Sequence, residues 1–489
     1  MNPNHDTAAS PEAPGGGQIL PALVLSMLAF SMVQTAVVPI LPALAGAVHV
    51  SGVTVTWLMT ANLLAAAVLT PLLGRFGDLY GRKPMLLVSL GGLALGSVLA
   101  VTTESFGWLV VARVLQGAGG GVLPLAISVV RNQLPPKKIP GGIGAVSAAM
   151  GIGSALGLVV TGLLMEQWSY KSVFWAGLFV SLVAIAWSVA GIPKDRAPDH
   201  SAKVDPLGAL TLAGSLCALL LAISKGNAWG WGSGRTVGLF VAAAVIAAVW
   251  VVIEMKVEHP LVSIRMLVSP VVAVTNVAGA VIGFGMYGCF MVISNFAQTP
   301  EKIAHYGFSA DVLHAGVMLL PSAIGSMLAA PVGAKLIAAR GPRIPLSLGG
   351  LLAAVAMAFL AVLNGHPVDL YLASAVFGFG VGLAYTGMPA AINSAVPIEQ
   401  SGIANGMNAV FRMVGGAVGT AVLGSVLASD TIEGLSLPTL GAYREAFWIT
   451  AAGCLIAAVA PLAVRTAVSS VNSGKPVMKR SDPTEESIV

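Results

Sequence analysis

Charge is scarce in this chain. Only 9% of its 489 residues are Asp, Glu, Lys or Arg, against 56% that are hydrophobic, whereas soluble domains carry about 25% charged residues. That is too little charge to cover a water-soluble surface, and the apolar content suffices for about fourteen spans of ~20 residues each. Cysteine is equally scarce. Cys217, Cys289 and Cys454 lie far apart inside apolar runs, which excludes a disulfide scaffold and leaves them as small packing residues. The 58 Gly and 29 Pro follow no period, so collagen-like chains are excluded too. No basic stretch leads into a short apolar segment at the start, so no cleaved leader is expected. The net charge of +5 does not mark a nucleic-acid surface, because its basic residues are distributed among loops.

What is present is a series of apolar runs of near-membrane length, grouped six, two and six and broken by Gly, Pro and charge clusters. Backbone groups in lipid must be paired internally, so the runs are expected to be helices. A barrel would need alternating segments of about ten residues, and none occurs. The expected fold class is an all-α polytopic membrane protein of fourteen transmembrane helices. Residues 1–18 are expected to form a disordered cytoplasmic N-terminus, 19–192 a six-helix bundle, 193–270 a linker with two inserted transmembrane helices, 271–464 a second six-helix bundle and 465–489 a cytoplasmic tail. With the N-terminus in the cytoplasm, about eighteen Lys/Arg fall on that side and about five outside, so both termini are expected there by the positive-inside rule. Two six-helix blocks suggest pseudo-symmetric halves with a site between them at mid-membrane. The tail after Val464 is short and polar, so a non-transporting sensor, which would need an output domain, is not expected. No nucleophile–base pair, phosphate loop or metal-ligand cluster is evident, so neither enzyme activity nor a cofactor or metal is expected.

The most specific motif follows the second helix: Gly74-Arg75-Phe76-Gly77-Asp78-Leu79-Tyr80-Gly81-Arg82-Lys83-Pro84. Gly74 permits close approach to another helix, and Asp78 can pair with a cation or sit against a helix N-terminus. Arg131, at the cytoplasmic end of the fourth helix, is the expected partner. This turn resembles the signature loop of the major facilitator superfamily. The resemblance implies a conformational latch of Gly74, Asp78, Arg82 and Arg131, and a degenerate copy follows the tenth helix at Lys335–Arg343. Arg113-Val114-Leu115-Gln116-Gly117-Ala118-Gly119-Gly120-Gly121 resembles a second motif of that superfamily, whose arginine is linked to substrate or proton coupling. Arg113 either faces a cavity or snorkels to the outer face, and Gln116 shares its helix face. The segments Asn405–Thr420 and Asn227–Ser233 resemble the fourteen-helix drug:proton antiporter branch. Within the first of these, Arg412 either lines the cavity or caps carbonyls.

The chain also departs from that branch. Val33 stands where the first helix commonly carries an acid, with Gln34 the nearest polar group, and Asn62 stands where Tyr is usual. The fifth helix keeps Gly153 and Gly157 for helix packing but has Leu158 and Thr161 where Pro and Gly are usual. Of the 20 acidic residues, Glu104, Glu166, Glu254, Asp311, Asp369 and Glu445 sit at helix ends or adjoining loops, and none is expected at the centre of a span. The remaining proton-coupling candidates are Asp311 with His314, and Glu166, although plain loop charges explain them as well. The expected substrate cavity comprises Gln34, Asn62, Arg113, Gln116, Tyr287, Asn295, Tyr385 and Arg412, a lining that suits bulky apolar ligands.

The resemblance implies a monomeric inner-membrane exporter of drugs, antibiotics or secondary metabolites, working by alternating access as a proton antiporter. Its partners would be a hydrophobic or amphipathic substrate, the proton and the bilayer, with no nucleic acid. An uncoupled facilitator, or a lipid or metabolite transporter of the same fold, is the alternative, because the first-helix acid is missing.

Overall fold

The computed structural model describes residues 16–50, 52–55, 57–193, 205–258, 260–432, 435 and 437–463. The tail expected at 465–489 lies outside these, as does the disorder expected at 1–18 except at 16–18, where the backbone is already helical. Among the described residues, fourteen helices are long and apolar enough to span a membrane: α1 (Gln18–Val37), α2 (Trp57–Tyr80), α3 (Arg82–Thr102), α4 (Phe106–Gln133), α5 (Pro136–Met165), α6 (Lys171–Gly191), α7 (Pro206–Trp229), α8 (Gly234–Lys256), α9 (Pro270–Gln298), α10 (His314–Arg340), α11 (Arg343–Val362), α12 (Pro367–Ala395), α13 (Ile398–Ser429) and α14 (Leu440–Leu462). No strand occurs among the described residues, only an isolated bridge between Thr431 and Pro438.

The same packing plan is used twice. In the first half α1 packs on α5 and α6, α3 on α4 and α6, and α2 on α4. In the second, α9 packs on α13 and α14, α11 on α12 and α14, and α10 on α12. The halves meet through exchanged elements, α2 against α13 and α5 against α10. In each case the second helix of one half lies on the fifth helix of the other. Large apolar cores fill each half separately, around Met27, Leu86 and Leu90 in the first and around Phe296, Phe377 and Phe447 in the second.

Small residues set the close crossings, since apolar side chains gain little over lipid from mutual burial and association depends on packing. In α4 the run Gly117–Gly121 tightens to a 3₁₀ turn over Ala118–Gly121. A Cβ at Gly120 would run into Thr70 Oγ1 of α2. Gly153 and Gly157 lie against α1, where added Cβ atoms would come within 2.7 Å of the Leu28 and Met32 carbonyl oxygens. Thr161, which replaces a glycine of the antiporter pattern, donates to the Ala36 carbonyl at 3.1 Å. The Pro missing from that pattern leaves Ile139–Gln167 an unbroken helix.

The inserted helices α7 and α8 form a hairpin. Asp205 caps α7 by accepting the Leu207 and Gly208 amides, each at 3.0 Å, and Ser233 caps α8 through Thr236 N. The turn between them uses Gly230 at φ 87°. Val237, Val241, Val245 and Val249 form an exposed apolar stripe along α8, of the composition that lipid covers.

Candidate functional site

One face of the molecule joins the two halves through polar contacts. The Asp78 side chain, 1% exposed, lies at the end of α2 and accepts the amides of Gly402 at 3.2 Å and Ile403 at 3.0 Å. These are first-turn amides of the helix Ser401–Ser429, whose partial positive end favours a carboxylate. Arg82 Nη2 stands 3.7 Å from Asp78 and donates to the Ile398 carbonyl. Gly74 allows the approach, since a Cβ there would be 2.6 Å from the Gly402 carbonyl oxygen. Arg131 is not the direct partner of Asp78 expected from the sequence. Its guanidinium donates to the Val396 and Pro397 carbonyls at 2.8 and 3.2 Å, beyond the C-terminal end of α12, where carbonyls left without helical donors hold a cation well. Sequence reasoning missed the hydroxyl pair of Ser128 and Ser401, 2.9 Å apart and buried in the same seam. Serines mid-run carry no signal until both helices are placed.

Arg113 does not snorkel. It is 1% exposed, and its guanidinium donates to Gln116 Oε1 at 2.7 Å, the Leu58 carbonyl at 3.3 Å and the Met59 sulfur at 3.8 Å. Gln116 Nε2 donates to Ser97 Oγ, and Asn62 donates to the Arg113 carbonyl at 3.0 Å. Asn62, Arg113 and Gln116 are thus bonded to one another inside the first half, with about 1% exposure or less; they do not face an open cavity in this state. Val33 borders a void of about 10 Å³ together with Ser97 and Gly177. The position of the missing acid therefore adjoins the Ser97–Gln116–Arg113 chain. Gln34 is half-buried on α1.

The second half holds a separate polar cluster. Arg412, 8% exposed, donates to Asn408 Oδ1 at 3.0 Å, and its guanidinium carbon lies 4.9 Å from the centre of the Tyr385 ring. Asn408 donates in turn to Asn276 Oδ1 and the Thr275 carbonyl, both at 3.1 Å. Tyr385 OH donates to Met286 Sδ at 3.0 Å, and the Tyr385 carbonyl accepts Ser147 Oγ across the seam at 3.1 Å. Tyr287, 39% exposed, packs its ring against Gly416. The structure thus brings Arg412, Tyr385 and Tyr287 to one region. Asn295 lies elsewhere, in a cavity of about 610 Å³ with Met291, Gln298, Leu427 and Tyr443, at the ends of α9 and α13 far from the Asp78 seam.

Among the described residues no carboxylate occupies the middle of a span. Asp311 caps α10 through the His314 amide, and its Oδ1 lies 2.9 Å from His314 Nδ1. Both side chains are largely exposed, at 65% and 70%. The Glu166 side chain lies outside the described residues. Glu254, expected at a helix end, is in the last turn of α8 but only 3% exposed, accepting Trp250 Nε1 and Val262 N. Asp205 faces it, since a Cβ on Gly208 would meet oxygens of both carboxylates. Sequence reasoning missed Asp205, although Pro206 at the first helical position is a signal that could have found the cap; the burial of Glu254 carries no such signal.

The sequence profile of the Major Facilitator Superfamily matches this chain over residues 23–420 and 279–485. The chain is 30% identical over 412 residues to the tetracenomycin C resistance and export protein of Streptomyces glaucescens, covering 83% of this chain and 75% of that one. It is 28% identical over 384 residues to a multidrug resistance protein B homolog of Mycobacterium tuberculosis, covering 76% and 69% respectively. The crystal structure of the human organic anion transporter MFSD10 (TETRAN) superposes with a TM-score of 0.64 at 16% identity, over 92% of this chain and all of that one. With fourteen spans, a packing plan used twice and this profile match over most of its length, the chain belongs to the major facilitator superfamily.

Proposed function

We propose that this multi-pass transporter exports small hydrophobic or amphipathic molecules, drugs and antibiotics among them, from the bacterial cytoplasm across the inner membrane. It works as a monomer by alternating access, with the Asp78 face and both termini in the cytoplasm and proton entry as the drive. The relatives named for antibiotic export and multidrug resistance support the substrate class. The observation that carries the mechanism is the seam in which Asp78 holds the N-terminal amides of α13 while Arg131 holds the carbonyls that follow α12. Each of these contacts is a hydrogen bond between halves that have their own apolar cores, so the seam can open without unfolding either core. The Arg412–Tyr385–Tyr287 region offers an aromatic and amide surface for apolar ligands. Cells carrying the protein are expected to accumulate less of an amphipathic dye, the difference vanishing when the proton gradient is discharged. Equal accumulation across a broad compound panel would sink the reading.

Val33 favours a second reading, an uncoupled facilitator. Transport of protons against substrate needs a group that alternates between charged and neutral, and this position supplies none. In proteoliposomes a coupled carrier concentrates dye under an imposed pH gradient, whereas a facilitator only equilibrates it.

A further inference from the structure

The α7–α8 hairpin lies outside the repeated packing plan, yet it touches both halves. On the face of Asp78, Arg82 and Arg131, here the basic face, the hairpin packs mainly on the second half: Leu212, Leu216 and Trp250 share a core with Ile392, Val396, Ile403, Ala404 and Met407, and Leu72 of α2 packs against it. The segment leading from α8 into α9 joins the same core through Leu261 and Val262, at most 2% exposed. Toward the opposite face, Asn227 grips α13, donating to the Ala421 carbonyl at 3.3 Å and accepting Ser425 Oγ at 2.7 Å. Trp231 Nε1 donates to the same Asn227 oxygen at 2.8 Å, so the end of α7 is fixed in orientation.

Contact with the first half adds polar pairs to apolar packing. Near the outer end, Ser224 Oγ and Thr60 Oγ1 are 3.1 Å apart, and the Lys225 ammonium stands 4.3 Å from the centre of the Trp57 ring. Between these and the middle of the bundle, α7 presents Leu220 and Ile223 to Ala67 on α2 and to Ala417 and Ala421 on α13. Leu63 and Leu64 of α2 and Met413, Val414 and Val418 of α13 pack around them, so this contact is apolar. Meanwhile α2 and α13 touch directly at their basic ends, where Gly74 meets Gly402 and Pro71 meets Gly406. Farther out, α7 lies between them.

We propose that the hairpin is a clasp carried by the second half, and that its Ser224–Thr60 and Lys225–Trp57 contacts engage the first half only while the basic face is sealed. The inference rests on the alternating-access reading. When the basic ends of α2 and α13 part, the outer end of α2 slides along α7 as it closes toward α13. A hairpin anchored to α13 by Asn227 and by a buried core moves with α13. Against α2 it makes apolar contact with Leu63, Leu64 and Ala67, which tolerates sliding, and two directional contacts, the hydroxyl pair and the cation on an aromatic face, which are the ones that break. A cation–π pair suits this role because it is attractive without demanding one geometry.

The test uses cysteine pairs in full-length protein with the three native cysteines replaced by alanine. Thr60→Cys with Ser224→Cys, cross-linked by a short bis-methanethiosulfonate, joins the hairpin to the first half. Asn227→Cys with Ser425→Cys, treated alike, joins it to the second. The first cross-link is expected to lower dye efflux at least ten-fold, reversibly on reduction, and the second to leave it within two-fold. Equal effects, or an unchanged rate with the first cross-link, would overturn the clasp. A Ser401→Cys reporter in the seam gives a reading independent of substrate. Its labelling by a maleimide added at the basic face is expected to fall at least ten-fold only with the first cross-link, and reactivity that persists there would also overturn the proposal. Absence of dye efflux in wild type with protection of the seam reporter by the first cross-link would instead reject the export reading and leave the clasp supported.

Discussion

The carboxylate of Asp78 accepts the backbone amide of Ile403 at 3.0 Å across the seam between the halves. It is a single side chain at the end of one helix holding the start of another, so its charge acts directly on the closed state. Asp78→Asn keeps one acceptor but removes the charge and turns an N–H₂ toward a donor. Hydrogen bonds to charged groups are worth about 1.5–3 kcal/mol, and ~1.4 kcal/mol is a ten-fold change in population. Labelling of Ser401→Cys from the basic face is therefore expected to rise about ten-fold or more. An unchanged rate would mean that Asp78 does not hold the seam.

Gly74 and Gly402 meet backbone to backbone at the same place. A Cβ on Gly402 would lie 2.5 Å from the Gly74 carbonyl oxygen and 2.8 Å from each Asp78 oxygen, and one on Gly74 would lie 2.6 Å from the Gly402 oxygen. Overpacking of this kind costs roughly 1–3 kcal/mol. Gly74→Ala and Gly402→Ala should each speed labelling of the Ser401→Cys reporter. Together they should do less than their product, because the first methyl already parts the helices that the second would meet. Strict multiplicativity would show that the two glycines act at separate contacts.

The helices and their number were legible because lipid forces every backbone group into internal pairing, so length and hydropathy suffice. Gly74 and Asp78 were legible through the resemblance of the Gly74–Pro84 run to a superfamily loop, although the structure carries both inside α2, which continues to Tyr80. The partner of Arg131 was not. Charge counting pairs it with the nearest acid, whereas the structure offers carbonyls beyond the end of α12, and backbone acceptors carry no sequence signature. Arg113 was recognisable as unusual, but polar side chains bonded to one another and to backbone inside one half look the same in sequence as ones that line a cavity. Glu254 stood at a helix end in either reading, and only the packing of the hairpin buries it.

Arg113 and Gln116 give a direct measure of that internal network. Arg113→Met removes the donor from Gln116 Oε1 and the Leu58 carbonyl, and an unmet buried acceptor costs about 1–3 kcal/mol. Gln116→Leu withdraws an acceptor from a buried guanidinium. The double variant replaces both partners with apolar groups, so its loss of stability should fall short of the sum of the singles by about 1–3 kcal/mol. Unfolding in detergent measures this, and additivity would mean the 2.7 Å contact contributes nothing.

At the outer edge, Lys171 Nζ lies 2.7 Å from Glu104 Oε1. The hydrogen bond and charge of Lys171 hold the Glu104 carboxyl below its ordinary value of 4.5. With the folded value depressed, any stabilisation is present above the ordinary value and disappears as pH falls through the lowered one. Because Glu104 is 75% exposed, water screens the pair. Lys171→Met is expected to leave dye efflux and melting temperature unchanged between pH 6 and 8, and a clear drop in either would show that this contact bears on the transport cycle.

Val33 is where an acid restores what the antiporter branch has and this chain lacks. It is 4% exposed, and a Cβ added to Gly177 would lie 3.1 Å from its Cγ2 and 3.5 Å from Ser97 Oγ. Ser97 accepts from Gln116, which accepts from Arg113. Asp is close to Val in size, so Val33→Asp would set a titratable oxygen beside that chain with little steric change, and Val33→Asn is its uncharged match. Both bury a polar group and should cost about 1–3 kcal/mol of stability. Only the acid can alternate between charged and neutral as the halves exchange access. Under an imposed pH gradient in proteoliposomes, Val33→Asp is expected to concentrate dye several-fold over its own level without a gradient, and Val33→Asn is expected to show no such gain. Identical behaviour of the two would mean that the Arg113 chain is a packing network, and that any proton coupling in this protein runs through another group.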